Sequence, residues 1–544
     1  MASLQWGLPR DNYEFIKQVR HIVGTMTANR RIFLNIVATY GRSLYGLLVG
    51  LVTARWALQA LGQIDYGLMG LIGGLTAFIS FINSRFSGSI GRFYALSVGK
   101  QRVSPEAGLE DCRMWFTTAV MIHSVIPVFL ILVGYPIGEW ALRHFLTIPS
   151  DRIEAAVWVF RFACCTCFLG MISVPLQAMY GAKQYIAELT IYSFVTTTFN
   201  AFFLYYMVTH PGVWLTRFAF WNMLLGLAPS LIISIRAYFL FPECRFRLKY
   251  VNCWPNIKKL GNYITWTMLG ALGSMLQGQG VAILINKYFG PRVNAGAAVG
   301  NSISGHCQML SGSMIGAFSP AIYNSWGAGQ YEIARVLAYR VCKFGTLLTL
   351  VFALPLMLEV DEVLLLWLRE PPPHAALMCI FVLTTSIIDQ TANGHMMCVL
   401  ANGKIAAYHV FLGGALLMTI PIAMVLLEFS FGIASIGFAL ISTMAICVWG
   451  RVWFARKLVG LSSRYWLAHV FLPLVILIAT SLAIGYLPRL ILKQCFARVC
   501  ITTAAIELWM LPMAWMLVLN REEREFVSAK LWVLITSRIR MLRS

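Results

Sequence analysis

The sequence predicts an all-α polytopic membrane protein of about fourteen transmembrane helices. Three observations carry this. Of 544 residues, 59% are hydrophobic and only 12% charged, whereas soluble domains carry about 25% charged residues. Mean hydropathy is +0.71. Of the 43 Lys and Arg, only Arg42, Arg85, Arg161 and Arg236 fall well inside apolar stretches long enough to cross a bilayer, and the rest crowd into the connections.

A spanning helix needs roughly 20 predominantly apolar residues. Such segments have cores near 32–54, 68–90, 115–142, 155–180, 186–209, 214–241, 261–286, 294–322, 341–367, 375–400, 405–427, 431–450, 466–487 and 499–519. Residues 1–31 precede them without a cleavable signal. Phe15, Ile16, Val19, Ile22 and Val23 recur there at helical spacing beside basic residues, the pattern of an amphipathic cytoplasmic segment on the membrane surface. The basic tail, 521–544, has the same character.

Alternate connections divide the charge unequally. One set, with both termini, holds about 29 Lys and Arg and the other about 10, so the positive-inside rule places both termini in the cytoplasm. The same rule and anionic lipid account for the net charge of +21 without nucleic acid. The thirteen cysteines complete no zinc spacing, and those in apolar stretches pack as small hydrophobes.

The chain also repeats. Gly50 and Gly278, Gly62 and Gly290, and Gly99 and Gly329 recur at a shift of about 228–230 positions, across the basic linker 244–260. Six spans separate the copies, so both have the same orientation. Parallel repeats predict two six-helix bundles, 32–243 and 261–457, with a central site. Two additional helices (458–520) follow.

Candidate functional residues are the polar ones that a bilayer penalises. A charge at mid-membrane costs roughly 2.5–3.5 kcal/mol on insertion scales unless it meets a partner or a wet cavity. Asn35, Thr39 and Arg42 share a face of the first helix, and Asn83 and Arg85 lie on the second. With Arg161 they form the candidate substrate-binding set. Guanidinium is permanently charged and grips phosphate oxygens in pairs, so these residues point to an anion, a phosphate or pyrophosphate. Asp389 lies in mid-segment and either binds a coupling Na⁺ or H⁺ or neutralises an arginine. Glu188 lies nearer an edge and Glu507 deeper. No catalytic motif, phosphate loop, metal site or cofactor site is legible, which argues against ATP-driven transport by this chain itself; the chain is expected to be a transporter rather than an enzyme.

Five stretches resemble the bacterial oligosaccharide and O-antigen flippases of the multidrug/oligosaccharidyl-lipid/polysaccharide exporter superfamily. They are LGQIDYGL (61–68), RFYALSVGK (92–100), NKYFGPRVNA (286–295), PAIYNS (320–325) and ANGKI (401–405). The resemblance runs from about 30 to 455. Gln101 stands where an acid often follows the Gly-Lys turn, Asn402 replaces a common Thr, and the last two spans exceed the twelve-helix core. The resemblance implies alternating-access flipping of an undecaprenyl-pyrophosphate-linked oligosaccharide across the cell inner (cytoplasmic) membrane, for lipopolysaccharide O-antigen or other surface polysaccharide biosynthesis. It implies no cofactor beyond a coupling ion. The expected partners are the lipid-linked oligosaccharide, membrane lipids and a polysaccharide polymerase. The alternatives are a cation-coupled multidrug exporter, which would favour an acidic lumen, and a membrane glycan polymerase or transferase, which would want large outer loops bearing acids or His.

Overall fold

The computed structural model describes residues 10–145, 148–210, 212–251, 254–368 and 370–525. They contain helices and no strand. The helices are α1 (Arg10–Val103), α2 (Pro105–Trp140), α3 (Ile153–Ala182), α4 (Ile186–Thr209), α5 (Leu215–Leu240), α6 (Trp254–Phe289), α7 (Pro291–Gly327), α8 (Tyr331–Leu358) and α9 (Val360–Leu368). They continue as α10 (Ala375–Gln390), α11 (Asn393–Asn402), α12 (Ala406–Leu417), α13 (Thr419–Glu428), α14 (Ala434–Val459), α15 (Ser463–Trp466), α16 (Leu472–Ile491) and α17 (Phe496–Met513). The amphipathic pattern of 1–31 and the tail beyond 525 fall where side chains lie outside the described residues.

All fourteen apolar segments lie in helices. Among the described residues, ten helices are long and apolar enough to cross a membrane, or eleven if α10 and α11, bent by 48°, form one span. The chain is therefore a multi-pass membrane protein. The segments outside that count lie in the second part of α1, in α4 and in α7, whose Ser, Thr, Asn and Gly lower their apolarity.

The sequence repeat has a conformational counterpart. Gly62 breaks α1 with φ 74° and ψ 173°; Gly290, just before α7, has φ 82° and ψ 175°. Only glycine occupies that region readily, so both repeats turn at the same special residue.

The chain forms two units, residues 1–80 with 119–247 and residues 81–118 with 248–544. The first has a core of Leu68, Ile72, Leu142, Val157, Phe160 and Leu215, built where α3 packs along α5. The second buries Leu350, Leu354, Leu383 and Val448 together with Leu474, Leu477, Ile506 and Met510. The two additional helices, α16 and α17, thus belong to the second unit's core.

Residues 81–118, which the sequence groups with the first bundle, fall in the second unit through a close crossing. A Cβ at Gly99 would lie 2.0 Å from the Asn324 carbonyl oxygen, and one at Gly327 would lie 2.0 Å from that of Leu96. Both pairs are related by the same 228 positions (327 less 99, 324 less 96). The ends of α1 and α7 therefore meet through a reciprocal, pseudo-two-fold contact. Its spacing suits Cα–H···O=C interaction and admits no larger residue.

Candidate functional site

Which helix faces are open to a polar space can be read from the exposed side chains, since lipid cannot hydrogen-bond. In the second unit, the exposed side chains from Phe81 to Arg102 are Ser84, Arg85, Lys100 and Arg102, with no large apolar group among them. On α7 they include Asn301, Ser302, His306 and Gln308, again without a large apolar group among the described residues. At about 100° per residue, each set occupies one side of its helix apart from the ends. These faces suit water, and α5, with Leu231, Ile235 and Phe239 exposed, suits lipid.

Within this polar region Arg85 is exposed and has no acidic partner among the described residues. Its guanidinium carbon lies 5.4 Å from the Phe81 ring centroid. Nearby, the Asn83 side-chain oxygen is buried without a hydrogen-bond partner. Behind the α7 face, the Ser304 and Ser386 hydroxyls are 2.8 Å apart, and Gln308 donates to both at 3.2 and 3.3 Å. The sequence reading missed these α7 residues. Their signal was the alternation of Asn, Ser and Gln with Gly in one segment.

The first unit separates the remaining candidates by role. Asn35 is buried; its amide donates to the Gln184 carbonyl at 3.1 Å and its oxygen accepts from the Ala187 N–H at 3.1 Å. It holds the α3–α4 turn and has little left for a ligand. Thr39 is buried and donates back to the Asn35 carbonyl at 2.6 Å. Arg42 is exposed with no acidic partner among the described residues. Exposed Leu34, Val37, Leu48 and Val52 lie about 80–140° around the helix from it, so Arg42 points away from that apolar stripe.

Arg161 is already engaged. It donates to the Tyr135 hydroxyl at 2.9 Å and reaches Glu139 at 3.4 Å, and that carboxylate also binds Arg143 at 3.0 Å. Arg236 is paired with Glu188. Of the four intramembrane arginines, only Arg42 and Arg85 remain uncompensated.

Asp389 ends up against Arg451, a residue assigned to a connection by the sequence. The ion pair is 2.7 Å, and Arg451 also donates to the Asp389 carbonyl and the Asn393 side chain at 3.1 Å each. The bend between α10 and α11 frees carbonyls here, and Trp466 donates to that of Thr391 at 2.9 Å. Asp389→Asn should leave Arg451 without its counter-charge and lower stability by about 1–3 kcal/mol, between the costs for an exposed and a fully buried pair, because the Asp389 side chain is 25% exposed. Chemical unfolding of purified variant and parent measures it.

No protein-family model matches the sequence, and no curated protein matches it. Solved structures do. An outward-facing multidrug resistance MATE family transporter of the MOP superfamily aligns over 80% of this chain and 97% of its own, at 15% identity and a TM-score of 0.63. The chain has the fold of the MATE transporters. A variant of the Vibrio cholerae MATE transporter VcmN aligns over 82% of this chain and 100% of its own, at 15% identity and TM-score 0.62. A MOP superfamily transporter from Pyrococcus furiosus Vc1, described as having a binding pocket of reverse polarity, aligns over 80% of this chain and 96% of its own, at 14% and 0.62.

Proposed function

We propose that the protein is a transporter that flips an anionic lipid-linked oligosaccharide, of the undecaprenyl-pyrophosphate class, across the cytoplasmic membrane by alternating access. The observation that carries this reading is the balance of uncompensated charge. Of the four arginines well inside apolar stretches, each unit keeps one that is exposed and has no acidic partner among the described residues, Arg42 in the first and Arg85 in the second, while the mid-span carboxylate Asp389 is engaged by Arg451. Unpaired arginine favours phosphate. The five flippase-like stretches support the same substrate, and a polysaccharide polymerase is then the natural partner. A coupling H⁺ or Na⁺ would act at Asp389 by competing with Arg451 for the carboxylate.

The test is thermal stability in detergent, titrated with undecaprenyl pyrophosphate bearing a short glycan, followed by flipping in proteoliposomes. A ligand that binds only the folded state stabilises by RT ln(1 + [L]/K_d). Arg42→Ala and Arg85→Ala should each raise the apparent Kd about tenfold, which removes about 1.4 kcal/mol of stabilisation at saturating ligand, without loss of expression. Undiminished binding and flipping in both variants would remove the reading.

A second reading, a cation-coupled multidrug exporter, is favoured by the fold of the multidrug resistance transporter that the chain resembles. Its mark would be stabilisation by lipophilic cations alone. The acid to pursue would then be half-buried Glu507, whose Oε1 has no hydrogen-bond partner.

A further inference from the structure

The second unit contains a pocket of about 860 Å³ lined by none of the candidate substrate-binding residues. Its wall carries five cationic side chains, Arg92, Lys100, Lys259, Lys404 and Lys457, against one carboxylate, Asp111. These cations come from four different connections, all in the basic set that the positive-inside rule assigns to the cytoplasm. Separate connections that bring like charges to one cavity pay a repulsion that only an anion or water relieves.

Asp111 does not provide the relief. It is bound by Lys100 at 3.2 Å and by the Ser97 hydroxyl. Arg92 is structural: it is buried, donates to the Leu400 carbonyl and to that of Ala401 at 2.7 Å, and lies 4.5 Å from the Tyr263 ring centroid. Its charge stays within the wall, capping the carbonyl end of α11. Lys259, Lys404 and Lys457 are exposed and have no acidic partner among the described residues. By contrast, neighbouring Lys249 is paired with Glu110 at 2.8 Å. The rest of the wall is aromatic, including Trp115, Trp266, Trp326 and Tyr331, and Lys259 lies 5.7 Å from the Trp115 ring centroid. Three ammonium groups without an acidic partner among the described residues, set in a wall that is otherwise largely aromatic, match a phosphate group joined to an apolar or planar body.

We propose that this pocket is a binding site for the phosphate of an amphipathic anion, with Lys259, Lys404 and Lys457 as its ligands. The wall includes residues 92–115 from α1 and α2 beside residues from α6, α7 and α14. An occupant therefore bridges the same segments that cross at Gly99 and Gly327 and strengthens that packing. The phosphate can belong to an anionic phospholipid headgroup or to a free phosphorylated molecule. The inference does not depend on the flippase reading, because Arg42 and Arg85 lie outside the wall.

The experiment titrates the full-length protein in neutral detergent with short-chain phosphatidylglycerol, phosphatidylcholine of the same chain length, and inorganic pyrophosphate, reading thermal stability. Phosphatidylglycerol should stabilise saturably. The triple variant Lys259→Gln, Lys404→Gln, Lys457→Gln should raise the apparent K_d at least tenfold, and the corresponding Arg triple should restore it. Lysine-dependent stabilisation by pyrophosphate alone would assign the site to a free phosphate ligand. Arg42→Ala should leave the phosphatidylglycerol response unchanged. Equal stabilisation by phosphatidylcholine, no stabilisation by any probe, or an undiminished response in the Gln triple would overturn the proposal.

Discussion

Glu359→Ala is expected to destabilise the protein by about 3–5 kcal/mol, the range for removing one partner of a buried ion pair. Glu359 is 1% exposed and follows the last residue of α8. Its carboxylate accepts from Arg498 at 3.0 and 2.7 Å and from the Thr502 hydroxyl at 2.9 Å. Both donors are on α17. Without the acid, Arg498, itself buried, keeps a charge that no solvent screens. Two comparisons separate charge from hydrogen bonding. Thr502→Val removes one hydrogen bond and should cost about 1 kcal/mol, whereas Glu359→Gln keeps an acceptor for Thr502 yet leaves Arg498 uncompensated and should resemble Ala. Denaturant unfolding in detergent measures all three. A loss of about 1 kcal/mol or less in Glu359→Ala would mean that water reaches the pair. The second buried pair, Lys343 with Glu523 at 3.0 Å, joins α8 to the segment after α17, so the additional helices are tied to the body by charge at two places.

Gly327→Ala should disrupt the crossing of α1 and α7, and Gly99→Ala should do the same. The added methyl would fall 2.0 Å from a backbone carbonyl in either case, and backbone cannot rotate aside as a side chain can. Overpacking of this kind typically costs about 1–3 kcal/mol and occasionally more. Under the proposed function, transport should also fall by at least tenfold, measured as flipping in proteoliposomes. Gly88→Ala is the internal control, because its Cβ would meet nothing within 4 Å and helix propensity favours Ala there by up to about 1 kcal/mol. The double variant should be less than additive: once one methyl has parted the helices, the second has less to displace. Additive losses would show that the two glycines do not share a contact.

Much of the architecture was legible because the bilayer imposes coarse rules. Apolar runs located helices for all fourteen segments, and the glycine pairs near 62 and 290 found two residues with nearly the same φ and ψ. The candidate site was legible in part. Arg42 and Arg85 are exposed and uncompensated, but Asn35 is spent on a turn and Arg161 on Tyr135 and Glu139. Periodicity identifies which residues share a helix face and says nothing about which other helix meets that face. Asp389 shows the limit most plainly, since its partner Arg451 is 62 positions away and read as a connection residue.

The sequence by itself determined that the chain is helical, spans a membrane many times, repeats internally and concentrates its basic residues in one set of connections. These properties follow from one-dimensional quantities: the length of apolar runs, the distribution of charge and the recurrence of glycine. Only the tertiary structure decided which charges are neutralised, how residues 81–118 join the second unit, that α16 and α17 share its core, and that four basic connections meet around one pocket. Those outcomes depend on distances between residues far apart in the chain. An ion pair or a helix crossing is a property of two segments at once, and no single segment records it.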